Sequence, residues 1–213
     1  MLWPSTLFVT GTDTDSGKSY ATGWLANKIA ADNLKVITQK FIQTGNREFS
    51  EDIQVHRKIM GTGLLPADLI HITAPIIMSY PASPDLAARI DGVKIDLKLI
   101  DQATRTLSAE YDTVIIEGAG GLMVPVEEEY LTIDYIRERK LPAVLVTNGK
   151  LGSINHTLLS LQAIGNAGID LFAVIYNPYF DKDKIIAEDT RNYIRGWLEN
   201  HFPGTLFMEM TKI

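Results

Sequence analysis

The chain has 213 residues, 46% of them hydrophobic and 22% charged, with a net charge of −6 and no cysteine. That balance is ordinary for a globular α/β protein of this length, and it excludes disulfide frameworks, thiol nucleophiles and thiolate metal sites. The acidic excess also excludes a general nucleic-acid face, which needs a basic stripe. Residues 1–13 show no basic region followed by a long apolar segment, and no apolar run approaches the roughly 18 residues of a membrane span. The expectation is a cytoplasmic protein with neither membrane nor nucleic acid as a partner. Without repeats, low-complexity tracts or long linkers, residues 1–213 read as a single domain.

The first apolar run, TLFVTG (6–11), has no polar alternation and suits a strand buried on both faces. It leads into the loop GTDTDSGKS (11–19) and then a helix with Ala21, Leu25 and Ile29 at helical spacing. Strand, loop and helix in that order is the context of a phosphate-binding loop. There, backbone N–H groups and the positive end of a helix dipole face the anion. Lys18 would reach the outer phosphates and Ser19 would ligate Mg²⁺. The spacing is loose, because the first glycine of that motif falls on Thr12 and Gly11 stands one residue early. A solvated turn capped by Asp15 or Ser16 remains the plain alternative.

A second strand, KVITQK (35–40), ends in Lys40, and Ser50-Glu51-Asp52 reads as the start of a helix. On residues alone, Lys40 is a solvated strand-end charge and Asp52 an acid favoured by the helix dipole. Next come a helix over 96–111, with Leu97, Ile100, Ala103 and Leu107 on one stripe, and the strand DTVIIEGAG (112–120). Glu117 closes that apolar run, where such folds place a carboxylate near a metal. The strand PAVLVTN (142–148), a helix over 154–168, the strand LFAVIYN (171–177) and a helix over 187–202 complete the pattern. Strands alternating with helices imply a parallel sheet with helices on both faces. Ligands then bind beyond the carboxyl ends of the strands, where Thr10-Gly11-Thr12, Lys40, Glu117 and Asn148 or Asn177 gather.

Four ordered stretches resemble the dethiobiotin synthetase family. These are the loop at 11–19, Ile116-Glu117-Gly118-Ala119-Gly120-Gly121, GKLGSINHTLL (149–159) and QKFIQTG (39–45), with PASPDLAA (81–88) in support. The resemblance implies a P-loop NTPase-like α/β domain and a ligase of biotin biosynthesis. With ATP and Mg²⁺, such a ligase joins CO2 to 7,8-diaminopelargonate through a carbamate and its phosphorylated intermediate, closes a cyclic urea, and releases ADP and phosphate. It assigns catalysis to Lys40, Lys18 and Thr14, and Mg²⁺ to Ser19, Asp52 and Glu117. Nucleotide contacts fall to Asp15, Ser16, Gly17, Tyr20, Gly118, Ala119 and Gly120, with Asn177 and Pro178 at the base. Thr44 is a substrate-binding hydroxyl. Lys150, Gly152, Ser153 and Asn155 hold the substrate carboxylate across a homodimer with composite active sites. In that reading Gly152 lets backbone amides approach closely, and Ser153 and Asn155 supply donors. Lys150 and Asn155 otherwise finish a turn, His156 caps or packs, and Tyr176 and Tyr179 pack.

Three departures stand out. Phe41 replaces the family's proline, Pro178 stands where some members carry an acid, and the last segment, GTLFMEMTKI, is short beside some relatives' tails. The chief rival is a partition-type switch ATPase with a protein partner. It carries a lysine where this chain has Asp13, so the charge is reversed. Fused glutamine-dependent amidases need a cysteine nucleophile, and none is present.

Overall fold

The computed structural model describes residues 2–211. The central sheet takes β1 (Thr6–Gly11), then β2 (Val36–Lys40) after the helix α1 (Lys18–Ala30). A short pair, β3 (Gln43–Thr44) and β4 (Ile77–Met78), brackets α2 (Glu51–Met60) and α3 (Pro66–Leu69). The helices α4 (Pro84–Asp91) and α5 (Leu97–Ser108) return the chain to the central strand β5 (Thr113–Gly121). A hairpin of β6 (Pro125–Glu127) and β7 (Tyr130–Leu131) precedes α6 (Thr132–Glu138), β8 (Ala143–Asn148) and α7 (Ser153–Asn166). β9 (Leu171–Asn177), one 3-10 turn at Pro178–Phe180, α8 (Lys184–His201) and β10 (Leu206–Glu209) finish the order.

Six strands form a parallel sheet in the order β10-β9-β8-β1-β5-β2. The five strands read from the sequence all lie in it, within a residue of the expected bounds. β10 had no such signal: it is a four-residue edge strand with two half-buried residues and one exposed. The connection from β1 runs to β2 beyond β5, and the later strands add on the other side. The strand order therefore reverses at β1, and a crevice opens at its carboxyl end.

Period-2 alternation sends side chains from each strand to two separate cores. Leu7 and Val9 of β1 meet Ala21, Leu25 and Ile29 of α1, all fully buried. Phe8 faces the other way, into a core with Ile100 and Leu107 of α5 and Leu161 and Ile164 of α7. The continuous apolar runs noted in the sequence follow from this coverage on both faces.

Candidate active site

The loop after β1 enters α1 through Gly17, whose φ of 88° is left-handed. A Cβ there would stand 2.2 Å from the Asn177 amide nitrogen, so both backbone and space require glycine. No side chain caps α1, which removes the reading of a turn capped by Asp15 or Ser16 and leaves the helix amides open to an anion. Lys18 lies along the loop, donating from Nζ to the carbonyls of Asp13 at 2.8 Å and Thr14 at 3.2 Å. Burial pushes its ammonium down to about 8, against the opposing pull of Glu117.

The carboxyl ends of β2 and β5 adjoin, with Lys40 opposite Glu117 in the ladder. Lys40 is buried, not solvated, and its Nζ meets Asp52 Oδ2 at 2.5 Å, Glu117 Oε1 at 2.9 Å and the Gly118 carbonyl at 3.1 Å. All three N–H bonds of the ammonium are thereby occupied. Burial opposes its charge, but Glu117 and Asp52 raise it above the ordinary lysine value. Glu117, 1% exposed, is held well below the usual carboxylate range: burial raises it, but Lys40 and His56 together more than offset that cost. Ser19 Oγ lies 2.8 Å from Asp52 Oδ1 and 3.0 Å from Glu117 Oε1. Asp52 reaches this cluster from the first turn of α2, whose N-cap Ser50 accepts from the Ile53 amide.

These groups floor a cleft of about 1330 Å³ at the strand ends. Thr14, Asp15, Gly17, Tyr20, Thr44, Ala119, Gly120, Asn177 and Pro178 line it, and so does Lys150, which the resemblance places across a dimer. Ser16 and Gly118 sit behind the wall, where their carbonyls accept from Asn177 and Lys40 respectively. Phe180, Met210, Thr211 and the apolar group Ile42, Pro81, Ala82, Pro84 and Val124 line it without having been singled out as site residues. The last two residues of GTLFMEMTKI, at 212 and 213, lie outside the described residues.

Several expectations need correction. Tyr179 does not pack, since it is 79% exposed at the rim, whereas Tyr176 is buried and donates to Asp181. Ser153 turns inward: its hydroxyl donates to Asn148 Oδ1 at 3.1 Å and its amide to the Lys150 carbonyl, so neither is free for a substrate of the same chain. Gly152 has a left-handed φ of 92°, and nothing in its own chain lies within 4 Å of a Cβ there. Gly152, Asn155 and His156 are exposed and do not line this chain's own cleft, so His156 is not a core residue. His56 was passed over altogether, although it stands four residues after Asp52 on the same face of α2. Its ring is fully buried against Glu117.

A sequence-family model described as an AAA domain matches residues 5–199. The chain is 48% identical to the ATP-dependent dethiobiotin synthetase BioD 2 of Pasteurella multocida, covering 97% of each chain. It is 46% identical to the ATP-dependent dethiobiotin synthetase of Chlorobaculum tepidum, across 92% of this chain and 82% of that one. The chain belongs to the dethiobiotin synthetase family. Solved structures carry the fold further afield. A putative plasmid partition protein of Borrelia burgdorferi, bound to AMPPNP, has a TM-score of 0.56 at 15% identity, covering all of this chain and 88% of its own. The signal recognition particle receptor FtsY of Elizabethkingia anophelis has a TM-score of 0.52 at 16% identity, covering 97% of this chain and 58% of its own. At such identities the likeness is one of fold. Among the described residues, no helix is long and apolar enough to cross a membrane.

Proposed function

We propose that this chain is an ATP-dependent dethiobiotin synthetase, joining CO2 to 7,8-diaminopelargonate and closing the cyclic urea. The observation that carries the reading is the meeting of Lys18, Ser19, Lys40, Asp52 and Glu117 around an uncapped helix N-terminus at one end of the cleft. That meeting occurs in a chain 46% or more identical to named synthetases over nearly its full length.

The donor set fits Mg²⁺. Ser19 Oγ, Asp52 and Glu117 are hard oxygens already within hydrogen-bond reach of one another, and two carboxylates with phosphates suit that ion. When bound, the ion neutralises phosphate charge and orients it for in-line transfer. Lys18 supplies fixed positive charge where the transferring phosphoryl group develops negative charge. Lys40, kept charged by its carboxylate neighbours, faces the carbamate. The apolar wall of Ile42, Pro81, Ala82, Pro84 and Val124 suits the substrate's aliphatic chain, and Thr44 beside it offers a hydroxyl.

The Lys150–His156 segment, exposed at Leu151, Gly152, Asn155 and His156, belongs to a homodimer in this reading. There it meets the partner's substrate carboxylate through the backbone at Gly152 and Asn155, while Lys150 lines its own chain's cleft. The protein works in the cytoplasm. The deciding experiment measures ADP release by the purified protein as diaminopelargonate is added with bicarbonate. Release that depends on the diamine, with dethiobiotin as product, is expected. ATP turnover that ignores the diamine would overturn the proposal.

A further inference from the structure

His56 is a fully buried histidine whose ring touches the candidate site from behind. Its two nitrogens have one partner each: Nδ1 lies 3.0 Å from Thr38 Oγ1, and Nε2 lies 2.5 Å from Glu117 Oε2. Beyond Thr38 stands a second buried pair. Arg57 Nη1 donates to Thr38 Oγ1 at 2.8 Å, while its Nε and Nη2 donate to the two oxygens of Asp68 at 2.8 Å each. A guanidinium can only donate, so the Thr38 oxygen accepts there. The same hydroxyl is the partner of His56 Nδ1, so the ring is held between Thr38 and Glu117. The ionised Glu117 carboxylate can only accept, so Nε2 carries a proton and donates to Oε2.

The series Asp68, Arg57, Thr38, His56, Glu117 runs outward from a guanidinium that donates to both of its neighbours. It ends by committing one of two carboxylate oxygens to the protein. The other oxygen, Oε1, is the one that meets Ser19 Oγ and Lys40 Nζ. We propose that His56 is a positioning residue that fixes the rotation of the Glu117 carboxylate, so that Oε1 alone is presented to the phosphate and cation side of the cleft. The inference rests on the reading above that Glu117 serves the Mg²⁺–nucleotide. A carboxylate free to rotate would offer either oxygen, or both, and would lose part of its hold on the ion. Partners that orient a metal-binding carboxylate in this way are worth about 10–100-fold in metal affinity.

The test compares His56→Leu, which removes the donor, with His56→Gln, which restores one to Glu117. Thr38→Val, which removes the relay's hydroxyl, is set against Thr38→Ser. Mn²⁺ binding in the presence of a non-hydrolysable ATP analogue is read by electron paramagnetic resonance. Analogue binding in EDTA is read separately by calorimetry. His56→Leu is expected to weaken Mn²⁺ binding about tenfold or more, with analogue affinity in EDTA unchanged. His56→Gln and Thr38→Ser should recover most of the loss, and Thr38→Val should fall between. Unchanged Mn²⁺ affinity in His56→Leu overturns the proposal. So does an equal loss in His56→Gln and His56→Leu, or a matching loss of analogue binding in EDTA, since either marks a histidine needed only for packing. Should His56→Leu fail to fold, the Thr38 pair and His56→Gln decide by the same criteria. Dethiobiotin formation is assayed in parallel. A wild-type chain with the expected Mn²⁺ pattern and no product loses the proposed reaction and keeps His56 in this role.

Discussion

Lys18 and Lys40 carry the same charge into opposite settings. Lys18 is buried among backbone carbonyls, and desolvation lowers it, so a phosphate would supply the countercharge it lacks. Lys40 already has two carboxylates and holds its proton more firmly than a free lysine. The two substitutions should therefore differ in kind. Lys18→Ala is expected to lower turnover by about two to three orders of magnitude, as loss of a fixed electrostatic contact does. Diamine-dependent ADP release gives the number, and near wild-type turnover would sink the phosphate-loop role. Lys40→Gln is expected to leave nucleotide affinity within a few fold while abolishing product, and calorimetry beside the product assay separates the two. Glu117→Gln keeps the shape and drops the charge, so a titration of activity against Mg²⁺ should shift to higher concentration. Phe41 shows how a departure from the family pattern is absorbed. Its amide donates to the Glu117 carbonyl at 2.8 Å, a bond that proline cannot make, and its ring packs 4.5 Å from Tyr135. Phe41→Ala should cost about 3–5 kcal/mol in urea unfolding, from the cavity left in this core.

At the scale of elements, α2 and α3 are joined beneath the site by the Arg57–Asp68 pair, both buried. Burial raises the Asp68 carboxyl, but the bonds from Arg57, Thr73 and the Leu65 amide bring it below its reference of 3.8. A carboxyl lower in the folded than in the unfolded chain adds stability above the unfolded value and loses it as pH falls through the folded one. Asp68→Asn should thus be less stable than wild type at pH 7, by about 3–5 kcal/mol for a buried charge left alone. The gap should shrink in strong acid, and urea unfolding at both pH values checks it. The elements differ in how well they could be read from residues alone. Buried strands such as Ala143–Asn148 announce themselves, because both faces meet apolar neighbours and the run is unbroken. The loop at residues 11–19 and Glu117 were legible because each sits where a strand ends, whereas Lys40, also at a strand end, read as solvated until its buried carboxylate partners were seen. α2 was legible only at its first turn. Its His56 and Arg57 are polar residues inside the fold, and only tertiary partners on β2, β5 and α3 explain them. Ser153 was misread for the same reason: a hydroxyl at a helix start looks free until Asn148 is seen beside it.

For the whole molecule, the proposed dimer makes a distinct demand. Leu151 is 86% exposed at the tip of the 149–156 segment, and Leu159 is 58% exposed one helical stretch beyond. If that face meets a partner, Lys18→Ala and a variant disrupted at Gly152 and Asn155 should complement one another. After subunit exchange, a mixed dimer holds one site with both defects and one with neither, so activity should partly return. No return despite proven exchange would mean that each site is built from one chain. The strand order has a further consequence, in time and not in space. β1 is made well before its neighbours in the sheet, β5 and β8, with Thr6 beside Val114 and Phe8 beside Ala143. A ribosome adding about 5–20 residues per second leaves this apolar strand without a partner for roughly 5–20 s. Through that interval it is the segment most open to wrong pairing, by the same apolar run that later buries it. Nucleotide cannot shorten the wait, since its cradle needs β1, β2, β5 and β9 together. Ligand can only hold the finished sheet by mass action, and protection of the newborn strand falls to whatever meets it at the exit tunnel.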